Sequence, residues 1–159
     1  MAISTTSAGV ATKSRMPPPL PCLIGVIFGA LCGWISPWPI GRYVYVLPFG
    51  IVLVIAVVAS SIAVARAFKR HGTSPDPAHE TTAIIDTGPF RFSRNPVYVT
   101  MALLQAAVGC LLNNEWILLL TLPALLVIHY VVVLREEAYL ERRFGQVYLA
   151  YKARVRRWL

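Results

Sequence analysis

Two short stretches of this chain carry residues able to do chemistry. GPFRFSRNPVY, Gly88 to Tyr98, packs two arginines, three aromatics, a Gly-Pro step and an Asn-Pro step together. Asn is a favoured N-cap, and Pro suits the first helical position because its missing N–H would be unpaired anyway. A helix is therefore predicted to start near Asn95. Its free N–H groups and positive dipole end, with Arg91 and Arg94 close by, make a ready anion site. The plainer reading is that these arginines bind lipid phosphate and the cap only ends a loop. The second stretch is Glu136-Glu137. Neither glutamate has a Lys or Arg three or four residues away, and Glu137 faces Glu141 at i+4, a like-charge spacing that slightly destabilises a helix. Partners from elsewhere in the fold are expected for both.

The elements that must position these groups are apolar. The apolar fraction is 57% and the charged fraction 14%, against roughly 45–50% and about 25% in soluble domains. Lipid is thus the expected solvent for much of the surface. Four apolar stretches, 20–35, 44–65, 97–112 and 116–134, are predicted to be transmembrane helices. A bilayer core of ~30 Å needs about 20 helical residues; the second and fourth stretches meet that length, and the first and third must borrow flanking residues. The expected fold is an all-α membrane protein of about four spans. It comprises a Ser/Thr/Ala-rich disordered N-terminus (1–16), one domain (17–159), a long loop at 69–93 and an amphipathic tail at 135–159 that Gly145 could break.

Charge sets the orientation. With four spans, all of the 15 Lys and Arg residues except Arg42 fall on one side. The positive-inside rule puts that side, with both termini and the 69–93 loop, in the cytoplasm. The net charge of +8 is then topology and attraction to anionic lipid, and nucleic acid is not an expected partner. The basic residues before the first apolar run resemble a signal peptide, but the proline-rich approach at 17–19 favours a retained span. Trp34, Trp38 and Tyr43 suit the interfacial aromatic belt.

Because only Asn113-Asn114-Glu115 joins the third and fourth spans, these must pack as an antiparallel pair. Their cytoplasmic ends, Asn95 and Glu136, become neighbours. A cation and helix-dipole site beside a pair of acids suits a zwitterionic ligand bearing hydroxyls, and S-adenosylmethionine is such a molecule. His129 lies two turns before Glu136 at membrane depth, where a polar group is costly unless partnered; a bond to Gln105 is one expectation. Cys22 and Cys32 would sit ~15 Å apart on one helix, too far to bridge. His71 and His79 show no ligand-like spacing, so no metal site is expected.

These residues resemble the integral-membrane isoprenylcysteine carboxyl methyltransferase family, whose relatives include phospholipid N-methyltransferases and small-thiol methyltransferases. The resemblance runs from Phe68 to Leu159 and is carried by DTGPFRFSRNPVY, REEAYL and FGQVYLAYKARVRRWL. The family pattern Arg-His-Pro-x-Tyr-x-Gly, followed one hairpin later by Glu-Glu, reads here Arg94-Asn95-Pro96-Val97-Tyr98-Val99-Thr100 and then Glu136-Glu137. The resemblance implies S-adenosylmethionine held between the cytoplasmic ends of the last spans and capped by the long loop and the amphipathic tail. It implies cofactor contacts at Thr82, Ala83, Ile84, Ile85, Phe90, Asn95, Pro96, Val97, Tyr98, Glu136 and Glu137. Three positions depart from it: Asn95 for histidine, Phe90 where tyrosine is common, and Thr100 for glycine. The Asn form is similar to a bacterial branch, which implies the inner membrane.

Methyl transfer from a sulfonium is an in-line displacement that depends on positioning and on excluding water. A carboxylate acceptor needs no general base, whereas a thiol or amine must first lose a proton. No Cys, Lys or free His is placed as that base, which favours a carboxylate of the isoprenylcysteine type on a lipophilic or lipidated substrate. Arg94 and Arg135 are the candidate catalytic residues, steering such an anion, with Arg91 as another candidate. The alternatives are methylation of a phospholipid amine or small thiol, a non-catalytic membrane accessory protein, and an NADPH-dependent enzyme like the sterol reductases. The last group uses far more spans than 159 residues supply.

Overall fold

The computed structural model describes residues 16–17, 19–73 and 83–159. Residues 1–15 and the expected cofactor contact Thr82 lie outside them. Helix α1 spans Leu20–Ile35 and α2 spans Tyr43–Arg70. A short 3₁₀ turn, Gly88–Arg91, leads to α3, Pro96–Leu111. Helices α4 (Glu115–Leu119) and α5 (Thr121–Val127) follow, then a π-helical turn at Ile128–Val133, then α6 (Leu134–Phe144) and α7 (Gln146–Arg154). Among the described residues there is no strand, only an isolated parallel bridge between Ser93 and Arg156.

Glu115–Phe144 forms one helical rod of 30 residues, so the expected boundary at 134 between the fourth span and the tail does not exist. The amphipathic stretch simply continues the span. The break comes at Gly145, whose φ of 51° a residue with a side chain rarely adopts. The second helix also runs further than expected, through Arg70, and places Lys69 and Arg70 in its last turn. Positive charge there complements the helix dipole.

Two helices are long and apolar enough to cross a membrane, Tyr43–Arg70 and Glu115–Phe144, each with a mean hydropathy of 2.6. Only 11% of the α2 window is buried inside the protein. Its large side chains, Phe49, Val52, Ile55 and Ile62 among them, point outward. A soluble core helix would bury such residues, so this surface calls for an apolar solvent. Helices α1 and α3, at 16 residues each, are shorter than the usual ~17–25.

Helix α3 packs against α2, α1, α4 and α5. Small and polar residues let it approach its neighbours. Gly25, Gly29 and Gly33 recur every four residues along one face of α1; a Cβ at Gly29 would come within 2.9 Å of the Ile117 backbone nitrogen. The Asn114 side-chain amide donates to the Gly29 carbonyl at 3.2 Å. On the α2 side, the Ser60 and Thr100 hydroxyls lie 2.6 Å apart, and Thr100 also donates to the Pro96 carbonyl. Thr100 therefore serves as an interhelical contact where the resembling family has glycine.

At the end opposite Glu136, the turn 36–42 is tied to the α3–α4 connection. Trp116 Nε1 donates to the Ser36 carbonyl at 2.9 Å, and Asn113 Nδ2 to the Gly41 carbonyl at 2.9 Å. Trp38 stacks edge-on against Trp116 with ring centres 5.2 Å apart. Asn114 caps α4 by accepting the Ile117 N–H. The short connection forces the antiparallel hairpin that brings Asn95 and Glu136 to one end.

Candidate active site

A cavity of about 390 Å³ opens where the start of α3 meets α6, within the ~300–1,000 Å³ typical of small-molecule sites. Residues 95–98 form one wall, and Glu136, Glu137 and Leu140 of α6 form the facing one. Ala83, Ile84, Ile85 and Phe90 line a third side. Phe90 is held edge-on against Phe68 of α2, ring centres 5.6 Å apart. All the expected cofactor contacts among the described residues thus surround one space, and Arg94 lies beside them. Arg135 does not: it is exposed and outside the lining. At 100° per residue, a helix face that shows Glu136, Glu137 and Leu140 turns Arg135 away. Arg91 is exposed and outside the lining as well.

The off-helix partners expected for the two acids are present. Tyr98 donates its hydroxyl to Glu136 Oε2 at 2.8 Å. Glu137 accepts from Arg157 Nε and Nη2 at 3.0 and 2.9 Å, a bidentate pair, and meets Arg94 Nη2 at 3.3 Å. The side chains of Arg94 and Glu137 are 8% and 7% exposed. At such burial, removing one partner leaves an uncompensated charge, so the three groups stand or fall together. The bond to Glu137 holds the Arg157 guanidinium above its ordinary pKa, more than burial lowers it.

Asn95 caps α3 differently from expectation. Its side chain makes no cap bond to the helix. Instead Nδ2 donates to the Arg157 carbonyl at 3.0 Å. The Asn95 N–H donates to Ser93 Oγ, and Ser93 Oγ donates to the same Arg157 carbonyl at 3.3 Å. The Pro96 nitrogen has no hydrogen to satisfy, and the Tyr98 and Val99 N–H groups donate to the Asn95 backbone carbonyl at 3.1 and 3.2 Å, so the helix start does not call on the asparagine side chain.

The tail was expected to close the site, but three of its residues were not among the expected contacts. Tyr148 and Tyr151 of α7 line the cavity; Tyr151 donates to the Phe90 carbonyl at 2.8 Å. Burial, and then the Glu137 carboxylate, pushes the Tyr148 hydroxyl up to about 12, so it stays protonated at physiological pH. Burial raises Tyr151 similarly. The third is Arg157, outside the lining but bonded to it. The spacing of Tyr148 and Tyr151 among basic residues signalled an amphipathic helix, and it is this apolar face that closes the cavity.

His129 does not meet Gln105. Gln105 Nε2 donates to the Ile117 carbonyl at 3.3 Å instead, and its amide sits against Gly25. The His129 ring lies 5.9 Å from that of Trp158, and its Nδ1 is buried without a hydrogen-bond partner among the described residues. Among those residues no group of three His, Cys, Asp or Glu could hold a metal ion.

The cavity wall carries unspent polar groups. Arg94 Nε and Nη1 and Thr73 Oγ1 are buried with no hydrogen-bond partner among the described residues. Donors buried in this state lose about 1–3 kcal/mol each unless something arrives to satisfy them. Apolar sides, two acids and unpaired cationic donors together fit a molecule with a flat apolar part and a zwitterionic part.

A family model described as phospholipid methyltransferase matches residues 45–147. The chain belongs to that family. The matched residues contain the α3 motif and Glu136-Glu137, consistent with the resemblance drawn from the motifs. Phospholipid methyltransferase family membership makes this, in general terms, a membrane methyltransferase. A protein of Haemophilus influenzae described as uncharacterized is 40% identical over 63 residues, covering 40% of this chain and 100% of that relative. No solved structure matches. Within this family member, Tyr148, Tyr151 and Arg157 lie beyond the matched residues.

Proposed function

We propose that the cavity binds S-adenosylmethionine and that the protein transfers its methyl group to a lipophilic acceptor. The observation that carries this reading is the pair of unpartnered Arg94 donors in a wall that otherwise offers apolar side chains and two glutamates. When bound, the cofactor supplies an electrophilic methyl on a positively charged sulfur. Arg94 Nε and Nη1 suit its carboxylate. Glu136, oriented by Tyr98, supplies negative charge for the ammonium or ribose hydroxyls. Ile84, Ile85 and Phe90 pack a flat ring and keep water away from the reacting line.

The same reading takes α1, α2, α3 and the Glu115–Phe144 rod as four spans of a bacterial inner membrane, with the cavity on the cytoplasmic side. The acceptor then reaches it from the bilayer. A phospholipid amine accords with the family description. An isoprenylcysteine-type carboxylate is the second candidate, favoured by two guanidiniums sharing the one acid Glu137.

Calorimetry on the detergent-solubilised full chain tests the cofactor. S-adenosylhomocysteine should bind and NADPH should not. Changing Glu136→Gln and Glu137→Gln together should weaken binding tenfold or more, about 1.4 kcal/mol. Binding of NADPH in place of S-adenosylhomocysteine would overturn the reading.

A further inference from the structure

The start of α3 is fixed by a segment more than sixty residues further along the chain. The Arg94 N–H donates to the Arg156 carbonyl at 2.9 Å. The Arg157 carbonyl accepts from both Asn95 Nδ2 and Ser93 Oγ. The Arg157 side chain, in turn, grips Glu137 with two bonds. One residue therefore joins both walls of the cavity, its carbonyl holding the α3 side and its guanidinium holding the α6 side. It does so without lining the space itself.

We propose that Arg157 is a positioning residue that sets the separation and orientation of the two walls. Without its side chain, Arg94 is the remaining ion-pair partner of Glu137 among the described residues, and that guanidinium is drawn towards the acid and away from the ligand. The Arg157 carbonyl also loses its anchor, so Ser93 and Asn95 lose a fixed acceptor. The inference rests on the cofactor reading only for its affinity arm.

Hydrogen exchange of the unliganded full chain reads the positioning directly. Arg157→Ala should speed exchange of the Arg94 and Asn95 amides tenfold or more, leaving α1 and α2 as protected as before. Arg157→Lys, which keeps one charge on Glu137, should give a smaller increase; it also decides the matter if the alanine variant does not fold. In the affinity arm, Arg157→Ala should weaken S-adenosylhomocysteine tenfold or more. In a Glu137→Gln background the same change should cost less than threefold, because the route through Glu137 is already broken. A purely structural role would lower the melting temperature and give additive losses. Unchanged protection at 94 and 95, or additivity with Glu137→Gln, overturns the proposal. If the unmodified chain does not bind S-adenosylhomocysteine, the cofactor reading falls alone and the exchange arm still decides the role of Arg157.

Discussion

Tyr148 is 1% exposed and lies close to both Glu137 and Arg94, so its protonation is tied to the cavity floor. Burial and then the Glu137 carboxylate push its hydroxyl up to about 12 in the folded protein, against about 10 in an unfolded chain. A raised value means that folding favours the protonated phenol. The stability this contributes is fully present below about pH 10 and is lost as pH rises towards 12. The melting temperature should therefore stay level from pH 7 to 9 and fall above 10, and Tyr148→Phe should flatten part of that fall. A melting temperature that falls equally in the variant would detach Tyr148 from the effect. At this scale the sequence was informative about which residues meet and less so about how. The missing i±4 partners of Glu136 and Glu137 pointed to bonds from off the helix, which Tyr98, Arg94 and Arg157 supply. Asn95 was legible as the residue before the helix start, but its side chain makes no cap bond, and its donation to Arg157 was not legible because a contact across 62 positions leaves no local pattern.

Among the elements, α1 rests on its glycine face. A methyl group at Gly29 would strike the Ile117 backbone, which cannot rotate aside as a side chain could. Gly29→Ala should destabilise the protein by about 1–3 kcal/mol, the range for overpacking a tight contact. Gly41→Ala, whose Cβ would meet nothing closer than 3.6 Å, provides the control in a thermal melt. Equal melting temperatures for the two variants would show that α1 has room to shift. The three glycines of GVIFGALCG, four apart, carried a helix-packing signal that composition alone does not expose. The continuous apolar runs located α1 and α3 to within a residue. They missed the continuity of α5 through α6, because amphipathic and fully apolar stretches can share one helix axis.

For the whole molecule, the charge asymmetry and the antiparallel α3–α4 hairpin put the cavity and the 36–42 turn at opposite ends. Single cysteines at Pro39 and Arg142, in a chain with Cys22, Cys32 and Cys110 replaced, test this with a membrane-impermeant maleimide on sealed vesicles. Position 39 should label from one face only and position 142 from the other. Labelling of both from one face would refute the four-span arrangement. Family and general activity were readable because the motif residues are local. That the amphipathic tail closes the site was readable too, but which of its residues line the cavity was not, because that depends on the turn at Gly145.

The bond between Arg94 and Arg156 also has a bearing on biosynthesis. Domains assemble while the chain is being made, at ~5–20 residues per second. The wall at 93–98 is synthesised, and its helix can enter the bilayer, well before residues 156 and 157 exist to hold it. The α3 wall is thus made some sixty residues before the segment that anchors it. A nascent chain stopped short of position 156 would carry the helices but not the finished site.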